Sequence, residues 1–208
     1  MNPRILLLHV SARGAPTFVI GVSVITLLAW SGGTWLADRP SLDGPAARIP
    51  VVALAPLLAA LLLGPTLAGA DEDLERSTPL PWPLWRAGHV LLAALVITTA
   101  LSLTGLHVPT TFGAYALARN TLGCIGLVAG AAVLLGARLA WLPAFLYVVA
   151  VYAAGPRPAA NPAASWAWPI QPSSASPSWG TAITLFLLGA TSYALCGPST
   201  STSGRQHS

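Results

Sequence analysis

The sequence predicts an all-α protein, a polytopic membrane helix bundle with about six transmembrane helices. Hydrophobic residues make up 54% of the 208-residue chain, whereas charged residues make up only 8%. A soluble domain carries about a quarter charged residues, because its surface must face water. The apolar residues also fall into separate blocks of roughly the 20 residues that a helix needs to cross a bilayer. Much of this chain is therefore expected to face lipid.

Six blocks of this kind follow one another along the chain, and none contains an acidic residue. The fourth and fifth blocks are separated only by Ala137 and Arg138, which predicts a tight helical hairpin. Residues 1–14 are interpreted as an interfacial N-terminal segment, and residues 198–208 as a disordered polar tail. Between them lies a transmembrane domain, residues 15–197, whose predicted spans are residues 15–36, 49–68, 87–106, 116–136, 139–154 and 179–196.

The placement of arginine predicts the orientation, because basic residues are enriched in cytoplasmic loops. All ten basic residues are arginine, which is typical of coding in high-GC bacterial genomes. If the N-terminus is cytoplasmic, six arginines fall on the cytoplasmic side of a bacterial inner membrane and four on the opposite side. This majority favours cytoplasmic N- and C-termini. The cytoplasmic set is Arg4, Arg13, Arg76, Arg86, Arg138 and Arg205, and the opposite set is Arg39, Arg48, Arg119 and Arg157.

The connection between the second and third spans is the most acidic part of the chain. It carries four of the six acidic residues within five positions, followed by an arginine. Acidic residues suit the first turn of a short helix, since they interact favourably with the helix dipole. The stretch reads Asp71, Glu72, Asp73, Leu74, Glu75 and Arg76.

Two groups of residues within the spans are notable. Arg119 and Asn120 lie near the start of the fourth span, where an ionisable group is expensive to bury and so marks either a functional pathway or a helix anchor at the membrane surface. Gly123, Gly126 and Gly130 follow, and the latter two form a GxxxG pattern. Such small residues let helices approach closely, within one bundle or between two copies. In the second span, Pro56 and Pro65 can kink the helix.

No constellation for catalysis appears. The sequence has no nucleophile elbow, no pair of carboxylates inside a span and no histidine pair with the i,i+4 spacing of a helical metal site. No glycine-rich loop of the P-loop type is present either. The net charge of +4 is spread over the loops without a basic patch, which argues against nucleic-acid binding. We therefore expect neither enzymatic activity nor a bound cofactor or metal.

The layout resembles the membrane subunit of bacterial ABC-2-type exporters. In that family the loop between spans two and three is a coupling helix that docks on a separate ATP-binding subunit, and Asp71–Arg76 would be its counterpart. The interfacial N-terminal helix would correspond to residues 3–13, and the outer re-entrant segment to residues 155–178. The resemblance implies a homo- or heterodimer of membrane subunits in the lipid bilayer, moving an apolar or amphipathic substrate.

Two alternatives belong to other classes. One is the substrate-capture membrane subunit of an energy-coupled uptake system, which would need a polar pocket between helices. The other is a non-catalytic membrane protein with a structural, immunity or assembly role. A co-purifying ATPase would favour the exporter hypothesis over that of a structural protein.

Overall fold

Helices account for most of the chain that the structure, a computed structural model, describes, namely residues 15–37, 44–68, 81–107, 110–155 and 164–199. No strand occurs among these residues, which confirms the predicted all-α fold class. Within these described ranges, five helical spans are long and apolar enough to cross a membrane, and a sixth apolar helix is shorter. The main helices are α1 (Ala15–Ala37), α2 (Ile49–Leu61), α3 (Trp82–Thr104), α4 (Ala114–Leu135), α5 (Trp141–Ala154) and α6 (Ser176–Cys196).

Three of the helices begin earlier than their apolar blocks, α4 by two residues and the other two by more. Helix α3 starts five residues before the predicted position, with Pro83 in its first turn, and α6 starts three residues early, with Pro177 in its first turn. Proline suits the first turn of a helix because its fixed φ angle is helical and its missing N–H would have no intrahelical partner there. Prolines that read as breakers in the sequence thus act as helix starts.

Proline also explains the shape of the second span. Helix α2 ends at Leu61, Leu62 forms a turn, and a short helix, Leu63–Thr66, completes the span. Pro65 cannot donate a hydrogen bond to the carbonyl of Leu61, four residues earlier, so the regular helix stops there. At Pro56, by contrast, α2 is continuous, and the carbonyl that this proline leaves free finds a partner on another helix, as described below.

The two ends of the bundle differ in how the helices are joined. One end carries three 3₁₀ helices, Gly44–Arg48, Thr110–Phe112 and Ser165–Ile170, and we call it the 3₁₀ face. At the other end, the hairpin face, Gly136–Ala140 join α4 to α5. Gly136 has a φ angle of 80°, in the left-handed region that favours glycine, and its N–H donates to the Ala132 carbonyl at 3.0 Å.

Helix α4 lies at the centre of the bundle, where it contacts α2, α3, α5 and α6. Its most extensive contact is with α6, where the two backbones meet at Gly126 and Gly189. A side chain at Gly189 would collide with the Gly126 carbonyl oxygen. The core around this crossing is made of fully buried side chains, among them Val52, Ile97, Leu117, Ile125 and Val128.

Candidate functional site

A buried arginine forms the centre of the site at the 3₁₀ face. Arg119 lies in the second turn of α4 and its side chain has no exposed surface. Its Nη2 donates to the Gln171 carbonyl at 2.7 Å and its Nη1 to the Pro172 carbonyl at 2.8 Å. Its Nε donates to the side-chain oxygen of Asn120 at 3.0 Å. The guanidinium is therefore held entirely by oxygen acceptors of the chain itself.

The acceptors come from a segment that has few helical bonds of its own. Residues 164–175 run from the Ser165–Ile170 helix into an extended stretch, and Pro169 and Pro172 cannot donate backbone hydrogen bonds within it. Some of its carbonyl groups accept hydrogen bonds within the segment, as Pro172 does from the Ala175 N–H at 3.1 Å. Those without an internal donor must be satisfied from outside, because an unpaired polar group inside a membrane bundle is costly. The planar guanidinium, with five donors in a fixed fork, can serve two consecutive carbonyls at once.

Asn120 joins the same segment to α2. Its amide nitrogen donates to the Pro169 carbonyl at 2.7 Å and to the Val52 carbonyl at 2.8 Å. The Val52 carbonyl would normally bond to the N–H of residue 56, but that residue is Pro56, which has no N–H. Asn120 thus supplies the donor that α2 lacks, and three separate parts of the chain meet at one amide group.

An aromatic side chain fixes the segment next to this pair. Trp168 is fully buried and lies over Gly123, where an added Cβ would come within 2.6 Å of the indole ring. Its other side stacks on Tyr147 of α5, with ring centroids 6.1 Å apart, and the Tyr147 hydroxyl donates to the Trp166 carbonyl. The indole therefore fills the space that a glycine, one turn after Arg119, leaves open.

A second buried arginine lies at the same face. Arg48 is 3% exposed, and its Nη1 donates to the Phe112 carbonyl at 3.2 Å. The guanidinium passes over Gly33 of α1, where a Cβ would come within 2.9 Å of Nη2. Ser173 extends the connection, since its N–H and hydroxyl both donate to the Thr111 carbonyl, at 2.8 and 2.9 Å. Hydrogen bonds thus connect all three 3₁₀ helices, directly or through neighbouring residues.

The structure brings some of the residues singled out from the sequence together and separates others. Arg119, Asn120 and Gly123 form one site, with the aromatic cluster beside it. Gly126 and Gly130 instead face α6, where Gly126 lies against Leu185 and Gly130 against Gly189. The acidic stretch Asp71, Glu72, Asp73, Leu74, Glu75 and Arg76 lies outside the described residues.

Sequence reasoning missed several parts of the site. Arg48 was considered only for orientation, Trp168 was expected in the headgroup zone rather than in the core, and Gln171 and Tyr147 were not singled out. Two signals were available: Pro56 leaves the Val52 carbonyl without its helical donor, and Gly123 lies one turn after Arg119, where small residues permit a close approach. Neither signal names the partner, because Gln171 is 52 positions from Arg119 along the chain.

The chemistry of this site is that of a structural clamp. It offers two cationic side chains and one amide, all engaged with carbonyl oxygens, and no group of three or more histidine, cysteine or carboxylate side chains suited to a metal occurs among the described residues. We call Arg119, Asn120, Trp168 and Arg48 with their carbonyl partners the 3₁₀ clamp. No protein-family model, no curated protein and no solved structure matches the chain.

Proposed function

We propose that this chain is the membrane subunit of an ATP-driven exporter of the ABC-2 type, which works with a separate ATP-binding subunit. The observation that carries the proposal is the acidic stretch Asp71–Arg76 between the second and third spans. The flanking helices support its assignment as a docking element, since Leu63–Thr66 ends and α3 begins at the hairpin face. A partner that binds this stretch would act on α2 and α3 directly.

The break in the second span supports a coupling role. A displacement at the hairpin face would reach Leu63–Thr66 first, and the turn at Leu62 can absorb a change in angle before α2 moves as a unit. Helix α2 contacts α4 and α5, and its Val52 carbonyl is bound by Asn120. Motion of α2 would therefore displace or strain the 3₁₀ clamp, at the opposite end of the bundle.

The orientation that this function needs is one with both termini in the cytoplasm of a bacterial inner membrane. The burial of two arginines supports it, because Arg48 and Arg119 are bound to carbonyl oxygens inside the bundle rather than exposed in loops. If these two are set aside, only Arg39 and Arg157 remain on the outer side, against six arginines on the cytoplasmic side. The orientation rule counts basic residues in loops, so its majority becomes larger.

The transport path would run between two copies of the bundle or between this chain and a related one. The centre of the described bundle is filled by fully buried side chains such as Ile97, Leu117 and Ile125. The cargo would be apolar or amphipathic, because the two arginines buried in the described spans are already engaged with the chain's own carbonyl oxygens.

Co-purification tests the proposal. The tagged chain, isolated from its native host in mild detergent, should bring a stoichiometric ATPase, and the triple variant Glu72→Arg, Asp73→Arg, Glu75→Arg should lose it. Arg138→Glu, which reverses an exposed charge at the same face, is the matched control and should keep the ATPase. Isolation of the wild-type chain without an ATPase, or with an ATPase that the triple variant retains, would contradict the docking assignment.

One observation favours a second candidate, a membrane protein with a structural or assembly role and no transport activity. The 3₁₀ clamp joins α1, α2, α4, α5 and residues 164–175 through buried hydrogen bonds and close packing. Such a network of contacts between helices is expected in a bundle that keeps one conformation. Isolation of the chain with unrelated membrane proteins, and without an ATPase, would support this candidate.

A further inference from the structure

A cleft of about 350 Å³ opens at the 3₁₀ face, beside the clamp but separate from it. It lies where the start of α4, the Thr110–Phe112 helix and the start of α6 come together. Its walls are formed by two aromatic and three hydroxyl side chains, those of Tyr115, Trp179, Thr111, Ser173 and Ser174.

Hydrogen bonds between the walls make the cleft preformed. Ser173 is fixed by its two bonds to the Thr111 carbonyl, and the Trp179 indole N–H donates to the Ser173 carbonyl at 3.1 Å. The Trp179 ring is thereby held in one orientation. Preformed walls lower the entropic cost of binding, because few side chains have to be ordered when a ligand arrives.

The remaining polar groups of the cleft are uncharged and accessible. The hydroxyls of Thr111, Tyr115 and Ser174 are exposed and make no hydrogen bond with the described residues. Each hydroxyl can both donate and accept. None of the described residues that line the cleft is charged, and the nearby Arg119 is fully engaged with the carbonyls of Gln171 and Pro172. A cleft lined by hydroxyl groups and two aromatic rings suits a neutral, hydroxyl-rich group such as a sugar ring.

An apolar track leads from the cleft along α6. Trp179, Ile183 and Leu187 are spaced four residues apart and so share one side of the helix. Ile183 and Leu187 are 42% and 56% exposed on the outside of the bundle. The track extends over about 12 Å at 1.5 Å per residue, roughly two fifths of the length of the 21-residue helix. A ligand with an acyl chain next to its polar group could therefore use both features, whereas a free sugar would use only the cleft.

From this arrangement we propose that the cleft binds the neutral sugar headgroup of a membrane glycolipid, with an acyl chain of the lipid lying along Ile183 and Leu187. The aromatic rings of Tyr115 and Trp179 flank the sugar, and the hydroxyls of Thr111 and Ser174 bind its hydroxyl groups. Binding requires neither an ATPase nor transport, so the inference is independent of the exporter proposal.

Lipid binding to the purified full chain tests this inference. The protein is prepared in an amine-oxide detergent without a sugar headgroup, and binding of monoglucosyl diacylglycerol is measured by native mass spectrometry and by thermal stabilisation. We expect saturable binding, competition by dodecyl maltoside, and at least about tenfold weaker binding of phosphatidylglycerol and of free glucose. Equal binding of phosphatidylglycerol would overturn the headgroup assignment, and equal binding of free glucose would overturn the lipid assignment.

Substitutions locate the site. Trp179→Leu and the double variant Thr111→Val, Ser174→Ala should each weaken glycolipid binding about tenfold, because they remove an aromatic wall or the hydroxyl partners. Trp85→Leu, an exposed tryptophan near the start of α3 at the hairpin face, is the matched control and should bind as the wild type does. The double variant changes exposed hydroxyls only, so it tests the site even if Trp179→Leu is poorly folded. Undiminished binding by the double variant would overturn the proposal.

Discussion

Helices α1 and α4 have nearly the same length and mean hydropathy, yet they occupy opposite places in the bundle. In the membrane-length window of α4, 67% of the residues are buried, whereas in that of α1 only 17% are. The buried helix is the one that carries Arg119 and Asn120, and the peripheral helix exposes Val19, Ile20, Leu27 and Leu28. The rule of soluble proteins is thus inverted, since the helix with a charged and an amide side chain is inside and the helix without either faces outward.

The physical reason lies in the surrounding solvent. Lipid accepts leucine side chains as readily as a protein core does, so burying them inside the bundle gains little. Polar groups and bare backbone, in contrast, find partners only inside. Substitutions in α4 should therefore be costly and substitutions in α1 nearly neutral, and four experiments test this contrast in order of decreasing effect.

The largest effect is expected at the crossing of α4 with α6. Gly189→Ala places a methyl group against the Gly126 carbonyl, and only a separation of the two helices can relieve the overlap. We expect the free energy of unfolding to fall by about 3 kcal/mol, the upper end of the usual range for overpacking. Unfolding in mixed micelles measures it. Gly180→Ala in the same helix, with no atom within 4 Å of the added carbon, should cost nothing, and an equal loss in both variants would refute the packing argument.

The next effect concerns the charge in α4. Arg119→Met keeps an unbranched side chain but removes the guanidinium donors to the carbonyls of Gln171 and Pro172. The Pro172 carbonyl then keeps its bond from the Ala175 N–H. Hydrogen bonds from charged groups contribute about 1.5–3 kcal/mol, and we expect a loss of about 2 kcal/mol together with faster proteolysis of residues 164–175. Arg138→Met removes an exposed arginine at the hairpin face and should change neither quantity. If residues 164–175 of Arg119→Met resist proteolysis as well as those of the wild type, Arg119 does not hold this segment.

A smaller loss of stability is expected from removing the hydrogen bond between Asn120 of α4 and the Val52 carbonyl of α2. Asn120→Leu removes the donor to the Val52 carbonyl, but Pro56→Ala restores a backbone N–H to the same carbonyl. In a double-mutant cycle, Asn120→Leu should therefore cost about 1 kcal/mol less in the Pro56→Ala background than in the wild type. Additive single effects would show that the amide does not compensate for the proline.

The smallest effect is expected in α1. Leu27 is 62% exposed on the outside of the bundle, and Leu27→Ala should change the free energy of unfolding by less than about 0.5 kcal/mol. The same measurement on Leu117→Ala, a fully buried leucine of α4, should give a loss of about 2 kcal/mol or more, because it leaves a cavity. Equal losses would mean that α1 is buried against a partner in the purified protein.

Composition and block length were sufficient to predict the all-α fold, because a spanning helix must be apolar over a fixed length whatever it packs against. The starts of α3 and α6 were missed, since Pro83 and Pro177 read equally well as the end of one element or the start of the next. The role of Arg119 could not be decided from its position in the helix. Whether the Arg119 side chain extends to the membrane surface or is buried depends on whether carbonyl acceptors lie within its reach. The positions of the Gln171 and Pro172 carbonyls are determined by the tertiary structure.

The position of these acceptors also has a consequence for biosynthesis. Val52 is synthesised before α4, but Gln171 follows Arg119 by 52 residues, which takes roughly 3 to 10 s of translation. During that interval α4 has to enter the membrane, or wait beside the translocation channel, with its guanidinium not yet bound to residues 171 and 172. Insertion of an arginine costs about 2.5–3.5 kcal/mol on the translocon scale at the centre of a helix, and less at the second turn, where Arg119 lies. Chains truncated before residue 164 should therefore integrate α4 less completely than the full chain, so residues 164–175 complete the insertion of a helix that precedes them.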